Sequence, residues 1–537
     1  MTGSASGWRR WLTLAIALLV LNASLTFRNI WPTPAFRWSG DLSIELAACL
    51  ALVLVATTAR RVASSALARW LTVIWVILAF GHYADVTTPA LLGRPINLVW
   101  DVRYAKDVTA MFVRAAPVWA VAIGLVAIAA LVSIVYLLLR WAVRRLVAAT
   151  QTQTERIALG LVAAGIFAAF VLRAFQPEAE RLPRFATPVT VTYVQQARLV
   201  RDVLTADPNA LPSTPSMSSD LSRVADADVL LMFVESYGAV TWERTDFIER
   251  LAEPRRQLAD DIRETGRRVV SGYVESPTYG GSSWFAHISL LSGIEIRDPN
   301  ANAVLMTQRR ETMVGAFARR GFRTIALMPG LWDPWPEGSF YGFQDIYGGE
   351  RLGYKGPEFG WWALPDQFTL AKFDAIEVAR QPRAPLFVFF PTVSTHTPFT
   401  PTPPYQPDWS RVITAHPFDD AVVEHAFQQQ PDWMNLGPSY GNAVAYAYQA
   451  LGGYLRLRKD HDFVFIVIGD HQPPALVSGE GQPWDVPVHV IASRGEVLDR
   501  LTAHGFHEGL EPMAPRISKM HELLPILLDA FGDSGPR

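Results

Sequence analysis

The first third of this 537-residue chain carries five stretches with no charged side chain: residues 11–27, 46–59, 70–84, 115–139 and 157–172. That pattern constrains the fold more than any other feature. A helix crossing the hydrocarbon core needs about 20 mostly apolar residues, with a range of roughly 17–25. The first and fourth runs reach that length. The other three are shorter, and snorkelling Arg with interfacial Trp or Tyr at their ends extends them. Composition points the same way, since 50% of residues are hydrophobic and only 18% charged, against about 25% charged in an ordinary soluble domain. The expectation is an α-helical membrane region of about five spans over residues 1–175. A cleaved signal peptide fits the first run poorly, because no small-residue cleavage site follows it and four more runs do.

Charge divides the chain in two. Residues 1–175 hold 16 Lys and Arg against six Asp and Glu, and the remainder holds 32 against 44. Arg9 and Arg10 precede the first run, and Arg60, Arg61 and Arg69 follow the second. Arg140, Arg144, Arg145 and Arg156 lie between the fourth and the fifth. With five spans these segments share one side, which the positive-inside rule makes cytoplasmic. The loop after the third run is longer and includes Asp85, Asp101 and Asp107. A cytoplasmic N-terminus and an odd number of spans place everything after residue 175 outside. In a bacterium that means an inner-membrane protein with a periplasmic or cell-surface domain. The lone cysteine, Cys49, excludes a disulfide scaffold. With 18 Trp, 28 Phe and 15 Tyr, the chain is not disordered.

Residues 176–226 read as a connector, with Pro177, Pro183, Pro188, Pro208, Pro212 and Pro215 around a helix-permissive piece at 194–204. From 227 to 537 the pattern becomes that of one α/β domain. Short β-branched and aromatic runs fall at 229–234, 269–274, 324–328, 386–390, 463–468 and 486–492, with helical segments such as 247–265, 312–320 and 443–456. Several strands are continuously apolar, as expected when both faces of a mostly parallel sheet are covered.

Ligands in open α/β sheets collect at the carboxyl ends of the strands. Three predicted strands end in unusual polar residues: Glu235-Ser236, the segment Ser394-Thr395-His396-Thr397-Pro398-Phe399, and Gly469-Asp470-His471. A fourth cluster, Tyr279-Gly280-Gly281-Ser282-Ser283, precedes the apolar helix-like run 284–291. Each piece alone is more often a turn or a cap; four in this order are much harder to assign to chance. Two carboxylates and an imidazole, Glu235, Asp470 and His471, suit Mn²⁺, Mg²⁺ or Zn²⁺, and the lack of thiolate excludes a sulfur-rich zinc site. A hydroxyl from Ser282 or Ser283 would complete the shell, and coordination would lower its pKa and make it a nucleophile. The helix start behind the serines offers N–H groups to an anionic phosphate or sulfate. This set suits phosphoryl or related ester transfer.

The ordered motifs Val234-Glu235-Ser236, Gly281-Ser282-Ser283, Ser394-Thr395-His396-Thr397-Pro398-Phe399 and Gly469-Asp470-His471 resemble the sulfatase-like branch of the alkaline phosphatase superfamily. The resemblance is greatest to membrane-bound lipoteichoic acid synthases and phosphoglycerol transferases; phosphoethanolamine transferases share the plan. It implies an α/β alkaline-phosphatase-like domain after about five helices. Glu235, the nucleophile, Asp470 and His471 become metal ligands, and His396 touches the substrate phosphate or a second metal. Trp335, six residues before Tyr341, matches the family's substrate-site tryptophan. Tyr440-Gly441-Asn442-Ala443 resembles a structural helix start. Spacing to Leu290-Leu291-Ser292-Gly293 prefers Ser283 as nucleophile, whereas the glycine spacing of the lipoteichoic acid synthases fits Ser282. His287, four residues on, shares the helix face of Ser283 and contacts substrate or packs. The family nucleophile is usually Thr. The formylglycine pattern of true sulfatases and their paired aspartates are missing, which argues against sulfate-ester hydrolysis.

The leading expectation is a metal-dependent transferase. It would move a phospholipid headgroup, of phosphoglycerol or phosphoethanolamine type, to a glycan or lipid acceptor through a covalent Ser intermediate. No P-loop is present, and no nucleic-acid partner is expected. A hydrolase of phosphate or sulfate esters shares the fold and is the first rival. A catalytically dead membrane sensor is the second.

Overall fold

The structure is a computed structural model that describes residues 4–30, 33–58, 64–92, 95–98, 101–102, 109, 118–176, 182–205, 211–332, 335 and 337–533. Arg60, Arg61, Asp107, Pro177, Pro208, Asp333 and Pro334 lie outside the described residues. The chain divides into two compact units, Met1–Thr205 and Ala206–Arg537.

The first unit is helical. Each of the five apolar runs overlaps one helix among the described residues: α1 (Ser4–Ala23), α2 (Ile44–Thr58), α3 (Ser64–Leu92), α4 (Val118–Ala149) and α5 (Gln153–Phe175). Among the described residues α3, α4 and α5 are long and apolar enough to cross a membrane, while α2 is shorter. The outward face of α4 carries Ile123, Leu125, Val126, Ile128 and Leu131 in the open, which in water would cost hydrophobic free energy and in lipid does not. Inside, Leu14 and Leu21 of α1, Leu50 and Val53 of α2, Trp75 of α3, and Val143 and Leu146 of α4 share one buried cluster. The α4–α5 turn is tied to α1 by polar contacts. Arg145 pairs with the buried Glu155 at 2.8 Å, its Nε donates to Thr13 Oγ1, and Arg10 donates to Thr152 Oγ1 at 2.7 Å. Two of the basic segments expected to share a side therefore meet. The helix-permissive piece of the connector forms α6 (Val189–Leu204) and packs on α3 as part of this unit.

The second unit is built on a nine-stranded sheet. Its strands are β1 (Asp228–Val234), β2 (Arg268–Glu275), β3 (Arg323–Met328), β4 (Asp345–Gly348), β5 (Leu386–Pro391), β6 (Phe463–Gly469), β7 (Asp485–Ala492), β8 (His507–Glu508) and β9 (Ser518–Lys519). The order is β8-β2-β7-β6-β1-β5-β3-β4, with β9 alongside β2. β6, β1, β5, β3 and β4 run parallel, and β7 is antiparallel to both β6 and β2. All six strands expected from the sequence are present.

Strand β1 shows why its sequence is apolar throughout. Val229, Leu231 and Phe233 enter one core, and Leu230, Met232 and Val234 enter the other. Helices cover both faces, among them α7 (Thr245–Glu264) and α10 (Gly437–Leu457) over one, and α8 (Trp284–Ser292) and α11 (Leu523–Phe531) over the other. Helix α9 (Asp366–Phe373) places Phe368, Leu370 and Phe373 in the same core as α7. Parallel register aligns Val234 with Gly469 and Phe233 with Pro391. The polar segments after β1, β5 and β6 therefore leave the sheet at one edge. β2 has the same direction, so the loop carrying Ser282 and Ser283 starts from that edge too.

Candidate metal centre and nucleophile

Glu235 leaves β1 pinned from two sides. Its N–H donates to Thr392 Oγ1 at 3.1 Å, and its carbonyl accepts from Thr395 Oγ1 at 2.6 Å. Both threonines follow β5, so the neighbouring strand holds the first carboxylate. Ser236 then turns the chain with φ +57°. Its N–H donates to Asp470 Oδ1 at 2.7 Å, which also accepts the N–H of His471 at 2.7 Å. The hydroxyl of Tyr440 on α10 donates to the Ser236 carbonyl at 2.7 Å, which gives the expected helix-start tyrosine a structural task.

His471 is oriented by its own backbone neighbour. Nδ1 lies 2.7 Å from the Gln472 carbonyl, which accepts the Nδ1–H, and Nε2 is the ring nitrogen turned toward the carboxylates, the orientation of a ligating imidazole. Nε2 stands 3.4 Å from Glu235 Oε1, 3.8 Å from Asp470 Oδ2 and 3.2 Å from Ser283 Oγ. Ser283 Oγ donates to Glu235 Oε2 at 2.8 Å. The Gln472 carbonyl also accepts the N–H of Gly280 at 3.1 Å, so one peptide group fixes both the imidazole and the serine loop. That loop needs unusual backbone: Gly280, Gly281 and Ser282 have φ of +66°, +148° and +61°. Glycine adopts these freely, whereas Ser282 does so at a cost of about 1–3 kcal/mol. Ser283 sits at the N-cap of α8, where no side-chain oxygen closes the helix end among the described residues.

Glu235, Asp470 and His471 bring one ligand atom each within 4.8 Å of one another. Asp470 and His471 are each 1% exposed and the Glu235 side chain 13%. Asp470 Oδ2 is buried without a hydrogen-bond partner, an arrangement that costs about 1–3 kcal/mol or more for a charged group. Burial and the neighbouring Glu235 charge push the Asp470 carboxyl far above its ordinary range. Burial lifts Glu235 as well, but the hydrogen bond and charge of His471 outweigh it and hold that carboxyl low. Burial lowers His471, yet the Asp470 and Glu235 charges carry it up to about 9. Two carboxylates, an imidazole nitrogen turned toward them and a buried carboxylate oxygen without a hydrogen bond fit a divalent cation.

The remaining expected residues fall as follows. His396 follows β5 with Nδ1 2.6 Å from the Thr397 carbonyl and its ring edge-on to Trp362 at 5.8 Å; its charge acts on Glu235. His287 lies on α8 with its ring against Phe233 and Phe389 at 4.6 and 5.3 Å. Its Nε2 is buried without a partner, and burial pushes it down to about 3. Trp335 packs on Tyr341 at 5.2 Å, while Trp332 is half exposed and covers Gly349. Four contributors escaped sequence reasoning: Thr392, Thr395, Gln472 and the buried Asp366, whose carboxyl burial lifts to about 6. Thr392 and Asp366 act through backbone groups of distant segments, Thr395 belongs to a segment the sequence had marked without showing its bond to Glu235, and Gln472 acts through its own carbonyl on the adjacent imidazole.

Fold and site together define a sulfatase-like α/β domain with a candidate oxygen/nitrogen metal cluster and a serine at a helix start. The sulfatase family model matches residues 271–491, from β2 to β7, a span that contains Ser283, His396, Asp470 and His471 but leaves out Glu235. The chain resembles the sulfatase-like branch of the alkaline phosphatase superfamily. Among solved structures, it is similar to the integral membrane lipooligosaccharide phosphoethanolamine transferase A of Neisseria meningitidis (14% identity, 96% of each chain covered, TM-score 0.47). It is also similar to an alkaline phosphatase superfamily protein of Vibrio parahaemolyticus (19% identity, 63% of this chain and 75% of that one, TM-score 0.37). A third is the Streptococcus pyogenes phosphoglycerol transferase bound to sn-glycerol-1-phosphate (12% identity, 64% and 81%, TM-score 0.35). No curated protein sequence matches the chain.

Proposed function

We propose that this protein is a metal-dependent, membrane-bound transferase that moves a phospholipid headgroup, phosphoglycerol or phosphoethanolamine, to a glycan or lipid hydroxyl. The observation that carries the reading is the Ser283 hydroxyl, 2.8 Å from Glu235 and 3.2 Å from His471 at an uncapped helix start. Residues 1–175 serve as the membrane anchor, 176–226 as the connector and 227–537 as the catalytic domain, on the periplasmic side of a bacterial inner membrane. Anchoring keeps the site among lipid headgroups and raises their effective concentration.

Glu235, Asp470, His471 and Ser283 would hold a divalent cation (Mn²⁺, Mg²⁺ or Zn²⁺), which supplies a lowered hydroxyl pKa and charge neutralisation at the phosphate. Ser283 Oγ attacks phosphorus, the bond from phosphorus to the diacylglycerol oxygen breaks, and the serine's proton, passed through Glu235, leaves on that oxygen. Glu235 already accepts the Ser283 hydroxyl hydrogen bond and is placed to hold its proton. His396 contacts the phosphate oxygens, the N–H groups at the start of α8 stabilise its charge, and Trp335 and His287 shape the headgroup pocket. An acceptor hydroxyl then displaces Ser283 from phosphorus, which restores the serine.

Full-length protein is incubated with phosphatidylglycerol or phosphatidylethanolamine vesicles and each metal, then examined by peptide mass spectrometry. A headgroup phosphoryl adduct on Ser283, absent from Ser283→Ala, is expected. An adduct on Ser282 would move the nucleophile by one residue. Turnover of an aryl phosphate or sulfate with no lipid adduct would replace the transferase by a hydrolase.

A further inference from the structure

His396 stands on a segment that no sheet hydrogen bond orders beyond Thr392, whose N–H donates to the Phe233 carbonyl at 2.8 Å. What holds the next residues is a carboxylate nearly 30 positions earlier in the chain. Asp366 opens α9 and is 1% exposed. Its Oδ1 accepts the N–H of Val393 at 2.8 Å, and its Oδ2 accepts the N–H of Ser394 at 3.0 Å. In return Ser394 Oγ accepts the N–H of Asp366 at 3.1 Å. The clasp is reciprocal and uses every polar atom the pair presents to the other, apart from the carbonyls.

The same stretch grips the segment a second time. Ala363 has φ +68°, a left-handed conformation that a β-carbon disfavours. Trp362, the residue before it, stands edge-on to the His396 imidazole, and its ring also covers Gly330, which borders Val393. Asp366 thus fixes the backbone two residues before His396, and Trp362 fixes the ring. A carboxylate accepting two N–H bonds in a dry site is worth more than two neutral bonds. Replacing it leaves both N–H groups buried and unpaired.

We infer that Asp366 is a positioning residue that sets the His396 imidazole at the phosphate-binding edge of the site. The inference rests on the proposed role of His396. Asp366 makes no hydrogen bond to Ser283 or to the cation ligands and meets Glu235 only as a like charge, so its hold on geometry passes through the 393–396 segment.

A double-mutant cycle in full-length protein tests this, with diacylglycerol release from mixed phosphatidylglycerol and phosphatidylethanolamine vesicles as the signal. His396→Ala is expected to lower the rate at least about tenfold, Asp366→Ala by a comparable factor, and the double variant no further than His396→Ala alone. Asp366→Asn keeps one acceptor and should fall between wild type and Asp366→Ala; it also serves if the alanine variant does not fold. Mn²⁺ and Zn²⁺ affinity should be unchanged in both Asp366 variants. If the double variant falls by the product of the two single factors, Asp366 does not act through His396 and the inference fails while the role of His396 stands. If His396→Ala keeps full activity, that role fails and the inference fails with it.

Discussion

Strand β1 has a buried acid centre at each end, one carboxylate between an Arg and a His and the other two carboxylates around a single His, with opposite outcomes. At the amino end, Asp228 is buried and both oxygens are satisfied. Oδ1 accepts from the Leu386 N–H at 2.8 Å and from Arg383 at 2.7 Å; Oδ2 accepts from Arg383 and from His461 Nε2. Burial raises its carboxyl, but hydrogen bonds from His461 and Arg383 win and leave it below the ordinary range. At the carboxyl end, Glu235 and Asp470 share one imidazole, Asp470 Oδ2 has no hydrogen-bond partner, and its carboxyl is pushed far up. The carboxylate of one cluster is satisfied by an Arg and a His, although Arg383 Nε stays without a partner, and the other cluster is short of positive charge. A buried acid with partners holds the fold; a buried acid without them marks where a ligand belongs.

The widest separation between the two ends should come from Ser283→Ala. It removes one hydroxyl and is expected to cut turnover at least about a thousandfold, with the melting temperature nearly unchanged. Asp470→Asn comes next. Zn²⁺ or Mn²⁺ affinity, read by calorimetry, should fall at least about tenfold. In chelator, the same variant should melt no lower than wild type, because the substitution removes like-charge repulsion with Glu235. Wild type should lose stability in chelator, by about 2.7 kcal/mol relative to metal at a hundred times its dissociation constant. Metal-independent stability in wild type would break the comparison.

Asp228→Ala is the converse. Arg383, 9% exposed on its side chain, would be left as an uncompensated buried charge, a change that costs about 3–5 kcal/mol. Urea unfolding of full-length protein in detergent measures it, while metal affinity should match wild type. A fall in metal affinity would show that the two ends are coupled along β1.

The ligand end of this comparison was legible in the sequence because each element there obeys a short-range rule. Strands buried on both faces read as unbroken apolar runs, and Glu235 and Asp470-His471 follow two of them directly. Parallel pairing of β1 with β5 and β6 then brings distant residues together with no further information. The amino end was not legible. Asp228 precedes an apolar run just as any loop residue does, and its partners lie 155 and 233 positions away. Asp366 escaped for the same reason, since hydrogen bonds to remote backbone groups impose no spacing, and Gln472 escaped because the group that holds the His471 ring is its backbone carbonyl, which any residue carries. Strand β4 has four residues at the sheet border, too few to show a period. That the Ser283 hydroxyl is the one beside Glu235 and His471 follows a left-handed φ at Ser282, which a serine does not announce. Helix α6 was read as a piece of connector because prolines flank it, and its packing on α3 places it in the helical unit.

The smallest effect separates the amino-end cluster from a neutral histidine elsewhere in the sheet. His489 on β7 is buried, with Nδ1 2.7 Å from Ser271 Oγ and Nε2 3.0 Å from Tyr237 OH. Burial, helped by the Arg255 charge, pushes it down to about 3. Its folded pKa lies below the unfolded value of about 6.5, so the unfolded chain binds the proton more readily. The stability that the neutral ring contributes is therefore present above pH 6.5 and is lost as pH falls toward 3. Asp228 has the same sign but a lower window, because a depressed carboxyl contributes above its ordinary value near 3.8 and loses that only below it. From pH 6.5 to about 4.5, in chelator, acid destabilisation should therefore follow the buried neutral histidines, His489 and His287, and not the Asp228 cluster. Melting curves across that range should show a smaller slope with pH for His489→Gln than for wild type. For Asp228→Ala the whole curve should shift downward with its slope retained, and a flattened slope there instead would place the titrating group at the amino end of β1.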